Sequence, residues 1–292
     1  MMFFPHVQAQ NKEVEQDMFE TLRPTDKAAI VAVYYGNPAT PTNLETVNKL
    51  NQKLRAAFQD CAFREAWTSP TNIGQADKDT IIRHSLTQAL EELHNDGYTH
   101  ILLQPSFITE GMEMEYIQHE ASVFTQQFKQ IRISTPLLSK PEDYEEAIRA
   151  ISSTYGRKKE ANVLVLGDES NNSPAQAALI DYMLRHHDFD NWLVLSEEGF
   201  PTISHLQKQL KKRKLKKINL IPCTFTLASK ETIEHLSQQL QKAGFKVNQT
   251  LHALGEDETL QSLIVKHALH TRNHRNYTPL EIKMQEAVRL MK

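Results

Sequence analysis

The sequence predicts an α/β protein of two lobes, each a four-stranded parallel sheet flanked by helices, with a ligand cleft between the lobes. Three observations carry this expectation. Short apolar runs alternate with amphipathic stretches of helical period from Lys27 onward. The runs are continuous and β-branched rather than alternating, as strands buried on both faces of a parallel sheet are. Finally, the pattern breaks at Gly156-Arg-Lys-Lys-Glu160 and then restarts, so that the second half resembles the first.

The first run, 28–35, reads Ala-Ala-Ile-Val-Ala-Val-Tyr-Tyr. A helix is expected over 43–58, where Leu44, Val47, Leu50, Leu54 and Phe58 recur at spacings of three and four. Further strands are expected at 62–67, 100–104, 131–135, 162–166, 192–195, 217–221 and 245–251. The helices between them fall near 79–96, 112–129, 141–155, 174–187, 202–213, 230–243 and 256–270. Such βαβ alternation implies parallel strands joined by right-handed crossovers. A closed eight-stranded barrel has the same count of units. The restart argues against it, because a strand, a polar turn and a helix recur at Tyr35-Gly-Asn-Pro38 and Leu166-Gly-Asp-Glu169. In doubly wound folds ligands sit outside the carboxyl ends of the strands. The expected divisions are a flexible leader over 1–26, lobes over 27–155 and 156–270, and a helical extension over 271–292 with Leu280, Met284, Val288 and Met291 on one stripe.

Composition bounds the function. The chain has 292 residues, 40% hydrophobic and 24% charged, with a formal charge of −3, so no global basic surface calls for nucleic acid. No run of 18 apolar residues exists, and insertion into a membrane is not expected. Cys61 and Cys223 form no paired spacing and read as reduced thiols. No Walker A, GxGxxG, GxSxG or HExxH pattern occurs, so no nucleotide cofactor is expected. A cytoplasmic protein is the simplest reading. Val7-Gln8-Ala9 resembles a signal-peptidase site, so export through a truncated signal is the alternative. Basic residues crowd the stretch 208–217, and Glu231 and His235 stand four apart on one helix face; solvated surface is the reading of both.

The residues at strand ends carry a resemblance. Gly36, Thr68-Ser69, Leu102-Leu-Gln-Pro-Ser-Phe-Ile-Thr-Glu-Gly111 with Glu113 and Glu115, and Thr135-Pro-Leu-Leu138 occur in that order. Val163-Leu-Val-Leu-Gly167, Gly199-Phe-Pro201, Leu220-Ile-Pro222 and Leu254-Gly-Glu256 follow in the second half. Together they resemble the anaerobic cobaltochelatases of CbiK type, which are class II tetrapyrrole chelatases of cobalamin biosynthesis. The resemblance implies a lyase-type reaction that inserts a divalent metal substrate, cobalt first with iron or nickel as alternatives, into sirohydrochlorin. Two protons leave the ring.

The same family uses a His after the fifth strand, a Glu before a Gly-aromatic-Pro turn and a His on the loop after the seventh strand. In this sequence Asp168 stands for the first His, Glu198 retains the carboxylate, and Lys230 falls where the second His would be. Glu198 and Asp168 are thus the implied metal ligands, with Asp168 also counted as catalytic. Glu113 is the implied base for the ring protons, and Gly36, Glu115, Phe200 and Lys230 are the implied ring contacts. An ammonium about 4 Å from a divalent ion is repelled by roughly 8 kcal/mol at an effective dielectric of 20. Asp168 and Lys230 have the alternative of pairing with each other, and Glu113 and Glu115 that of compensating a helix dipole. Two other functions stay open: a non-catalytic protein that binds haem or sirohydrochlorin, and a two-lobed binding protein for another small anion. Whether copies associate into a homo-oligomer is open as well.

Overall fold

The computed structural model describes residues 12–20, 22–35, 41–68, 84–167, 174–187, 189–197, 199–226, 230–250 and 252–277. The first sheet is built from β2 (Ala28–Tyr34), β3 (Ala62–Trp67), β4 (His100–Pro105) and β5 (Gln130–Ile133). Its helices are α1 (Pro41–Ala57), α2 (Leu86–Asn95), α3 (Met112–Val123) and α4 (Pro141–Tyr155). The second sheet holds β6 (Ala161–Leu166), β7 (Trp192–Ser196), β8 (Lys217–Pro222) and β9 (Lys246–Gln249). Around it lie α5 (Pro174–His186), α6 (Ile203–Lys212), α7 (Lys230–Lys242) and α8 (Glu258–Asn273). Strand orders are β3-β2-β4-β5 and β7-β6-β8-β9, all parallel. Both sheets therefore reverse direction beside their first strand, where a doubly wound fold opens its crevice. The expected two-lobed α/β architecture is found, and the closed barrel is excluded.

The two halves repeat at the level of single hydrogen bonds. In the first, the amides of Thr68, Ser106, Leu137 and Leu138 donate to the carbonyls of Tyr34, Val33, Phe107 and Ile108. In the second, Glu197, Cys223, Leu254 and Gly255 donate to Leu166, Val165, Thr224 and Phe225. The restart read in the sequence is therefore a structural duplication.

Strand burial explains the continuous apolar runs. Every residue of β2, β4 and β6 is buried. Ala29, Val31 and Val33 face α2 and α3, while Ile30, Ala32 and Tyr34 face a core that continues into Leu164, Trp192, Ile221 and Phe225 of the other half. The lobes thus share one interior cluster. Burying a large aromatic such as Phe225 in it contributes about 1.5–3 kcal/mol relative to exposure. Gly255 sits at this joint, where a Cβ would overlap the Phe225 carbonyl and crowd Thr46 in α1.

The halves also exchange their last helices. α8 follows the second sheet in sequence but packs against α1, β4 and β5, whereas α4 packs against both α5 and α8. Asn219 in β8 donates to the Tyr155 carbonyl at the end of α4 (3.2 Å). Chain halves cut at residue 155 therefore do not coincide with the packed layers. Sequence periodicity shows that a helix forms and which face is apolar, but not which sheet receives it.

The leader was expected to be flexible to residue 26, and the structure corrects this from Lys12 onward. β1 (Lys12–Glu15) pairs antiparallel with β10 (His274–Tyr277), and the Gln16 and Met18 amides donate to Asn273 and Arg272 carbonyls. Met18 is fully buried. Arg272 clamps the strap to α8, bonding Asp17 and Asp60 and stacking over Phe19 at 4.5 Å. A four-residue strand in which three charged residues surround the single Val14 has no apolar signature, which is why the pattern missed it. The expected tail helix, from Leu280, lies outside the described residues.

Candidate functional site

The carboxyl ends of both sheets supply the candidate site. In the first lobe β4 runs into Ser106, Phe107, Ile108 and Thr109, all buried, and then into Gly111 at the start of α3. The Met114 amide donates to the Gly111 carbonyl (3.0 Å), closing the first turn. Glu113 and Glu115 both lie in that turn, where the helix dipole favours anions. They differ in exposure: Glu115 is exposed, while Glu113 is half-buried with its Oε2 out of solvent. Of the two carboxylates, that of Glu113 is the more sheltered.

Beneath the first lobe's strand ends runs a buried polar chain that the sequence did not reveal. Tyr34 donates to Asn51 Oδ1 (2.7 Å), Asn51 Nδ2 donates to Glu65 Oε2 (2.8 Å), and Trp67 Nε1 donates to Glu65 Oε1 (2.9 Å). Burial, with the Glu65 carboxylate adding to it, holds the Tyr34 hydroxyl well above its ordinary range, so it stays a donor.

In the second lobe the ends of β6 and β7 lie side by side. A Cβ on Gly167 would overlap the Glu197 carboxylate, so a larger residue there requires the end of that side chain to shift. The Glu197 amide donates to the Leu166 carbonyl (2.9 Å), and Ser196 N donates to Pro201 O (2.8 Å) to close the turn. Glu197 was not singled out from the sequence. The signal was present, since it is the first residue past a buried strand, but the neighbouring Glu198 fitted the family pattern. Gly36, Asp168 and Glu198 lie outside the described residues. Phe200 is half exposed, with its ring edge-on to His205 at 4.7 Å. Lys230 is the first residue of α7.

Other candidates resolve as surface or core. His235 Nε2 lies 2.6 Å from the Gln239 amide on α7, consistent with a solvated helix face. Lys211 and Lys212 occupy the last turn of α6, where cations suit the dipole. Burial and the Asp60 charge push the Cys61 thiol up to about 11, and Cys223 is buried, so neither is a ready nucleophile. Among the described residues no group of three or more His, Cys, Asp or Glu is arranged to hold a metal. Among them, too, no helix is long and apolar enough to cross a membrane.

Comparison with known proteins agrees with this geometry. The family model for cobalt chelatase, CbiK, matches residues 28–273. The sirohydrochlorin cobaltochelatase of Salmonella typhimurium is 24% identical over 252 residues, covering 82% of this chain and 95% of that protein. SirB from Bacillus subtilis with Fe3+ superposes with a TM-score of 0.58 at 15% identity, covering 84% of this chain and 96% of SirB. The sirohydrochlorin chelatase SirB from Bacillus subtilis subspecies spizizenii, in complex with cobalt, gives 0.54 at 13% identity over 84% and 95% of the two chains.

Proposed function

Since the chain belongs to the CbiK cobalt chelatase family, we propose that it holds a tetrapyrrole in the cleft and inserts a divalent metal substrate, cobalt first. The observation that carries this reading is the close packing of Gly167 on the Glu197 carboxylate. In the sequence Asp168 follows Gly167 and Glu198 follows Glu197. A carboxylate pair of that kind offers oxygen ligands to a hard or borderline cation without the imidazoles of the family pattern.

The chemistry requires a metal donor on one face of the ring and a base for two pyrrole protons. Glu198 and Asp168 serve as the donor set in this reading. Glu113 takes a proton in this reading, since its carboxylate is sheltered at the start of α3 whereas Glu115 is exposed. Gly36 allows close approach of the ring at the first strand end, Phe200 presents an aromatic edge, and Lys230 meets a peripheral carboxylate. Asp168 for His exchanges a neutral ligand for a charged one, which weakens selection for cobalt over harder ions.

The test is a spectral titration with sirohydrochlorin, with and without cobalt, on the natural chain and on Glu198→Ala. Metal-dependent change of the ring spectrum, lost in Glu198→Ala, supports insertion. Ring binding that persists without any insertion in the natural chain identifies a tetrapyrrole-binding protein instead. Absence of any spectral change with sirohydrochlorin or haem at tens of micromolar sinks both.

A further inference from the structure

A buried phenol lies where the two halves meet, and neither the proposed donor set nor the proposed base uses it. Tyr144 stands near the start of α4 and is buried. Its hydroxyl is hydrogen-bonded to the side chain of Gln176, near the start of α5. Burial pushes the phenol up to about 12, against the lowering effect of that bond, so the hydroxyl keeps its proton at neutral pH. Gln176 Nε2 in turn donates to the Leu138 carbonyl (3.4 Å).

The duplication shows what sets this link apart. The Leu138 amide donates to Ile108 and the Gly255 amide to Phe225, at matching points of the two repeats. In the second repeat the Gly255 carbonyl then accepts from Gln261 of α8, six residues on, at 2.7 Å. Tyr144 stands at the same sequence interval from Leu138. There the phenol engages Gln176, and it is Gln176, from the helix after β6, that reaches the Leu138 carbonyl. One repeat therefore closes its strand-end turn with its own helix. The other is closed by a side chain from the opposite half.

Both ends of the link lead to the candidate site. Ile108, whose carbonyl holds the Leu138 amide, is followed by Gly111 and Glu113 at the start of α3. α5 packs against β7, and the chain comes to it from Gly167, just past β6.

We propose that Tyr144 and Gln176 are positioning residues for metal insertion: they tie the turn behind Glu113 to the helix that continues from Gly167, and so hold the base at a fixed distance from the Gly167–Glu197 wall. The proposal rests on the chelatase reading. Proton removal depends on that distance more steeply than ring binding does, because transfer needs hydrogen-bond reach.

The test is steady-state insertion of cobalt into sirohydrochlorin by the full chain, with ring affinity and stoichiometry measured by spectral titration without metal. Tyr144→Phe removes one hydroxyl, and Gln176→Leu removes the amide. Each should lower kcat roughly tenfold or more, with KM for the ring and the number of rings bound per chain unchanged. Because both act through one link, the double variant should lose little more than the worse single one. A merely structural role lowers the fraction of chains that bind the ring, and that result overturns the proposal. So does a change in KM alone, or losses in kcat that multiply in the double variant. Insertion by the natural chain that both variants match overturns this proposal and leaves the chelatase reading standing. No insertion by the natural chain removes that reading and the proposal with it.

Discussion

The exchanged helices make a quantitative prediction at one buried pair. His267 in α8 places Nε2 3.0 Å from Asp143 Oδ1 in α4, and its Nδ1 is 3.0 Å from the Pro136 carbonyl. Both side chains are less than a tenth exposed, 8% and 6%. Asp143 also accepts from the Lys140 amide (2.7 Å), so its charge stays buried if His267 is removed. Truncating one member of such a pair costs about 3–5 kcal/mol, most of it the isolated charge. For a chain of this size each kcal/mol shifts Tm by about 2–4 °C, so His267→Ala should lower Tm by roughly 6–20 °C. The assay is urea unfolding of Asp143→Ala, His267→Ala and the double variant. The double variant should be less destabilised than the sum of the singles by more than about 1.5 kcal/mol, because removing both leaves no orphan charge. Because α8 covers the first sheet and α4 packs on the second half, the loss should appear in one cooperative transition. Additivity within about 0.5 kcal/mol, or a first lobe that melts separately, would refute the reasoning.

Three further outcomes follow from the site and the strap. Gly167→Ala pushes the Glu197 carboxylate aside and should abolish metal insertion in the spectral assay while leaving Tm within a few degrees. Replacing Asp168 and Lys230 together by His restores two imidazoles to the implied ligand set; calorimetry should show tighter cobalt binding, and no gain would remove both residues from the site. Burial opposes ionisation of Asp17, yet hydrogen bonds from Arg272 and the Phe19 amide override it and hold its carboxyl below the ordinary 3.8. A carboxylate depressed in the folded state stabilises above its ordinary value and loses that contribution as pH falls through the folded one. Asp17→Asn should therefore destabilise the chain at neutral pH, with the gap to the natural protein closing as pH drops below about 3.8 in thermal scans.

The fold was legible because its signals are local and redundant. β2, β4 and β6 are buried on both faces, so each registers as an uninterrupted apolar run whatever its neighbours are. Leu50 and Leu54 mark a core-facing stripe on α1 for the same reason. What sequence could not show depends on pairing at a distance. Among the described residues strand β1 pairs with β10, more than 250 residues later, and α8 finds the first sheet across the shared core. No window of the chain contains either fact.

The site was legible in a different measure, and the duplication explains why. Strand ends that match hydrogen bond for hydrogen bond put Tyr35 and Gly167 at equivalent positions, and Thr68 opposite Glu197. The residues after them, Gly36 and Ser69 in one half, Asp168 and Glu198 in the other, are where the two repeats part in chemistry: small and neutral on one side, acidic on the other. A symmetric scaffold has thus been given one face without charge at these positions and one with two carboxylates. That asymmetry can be read by aligning the chain with itself, without any relative. It also locates Glu197, which a search for matches to a family pattern passes over because that pattern is satisfied one residue later. If metal handling resides on the acidic repeat, transferring Asp168 to the Gly36 position should not create a second cobalt site. The position equivalent to Glu197 in that half is Thr68, and Ser69 follows it in sequence, so no glutamate pair accompanies the change; one carboxylate alone does not hold the ion against water. Calorimetric stoichiometry in Gly36→Asp should stay at that of the natural chain; a doubled stoichiometry would show that the scaffold, not the carboxylate pair, makes the site.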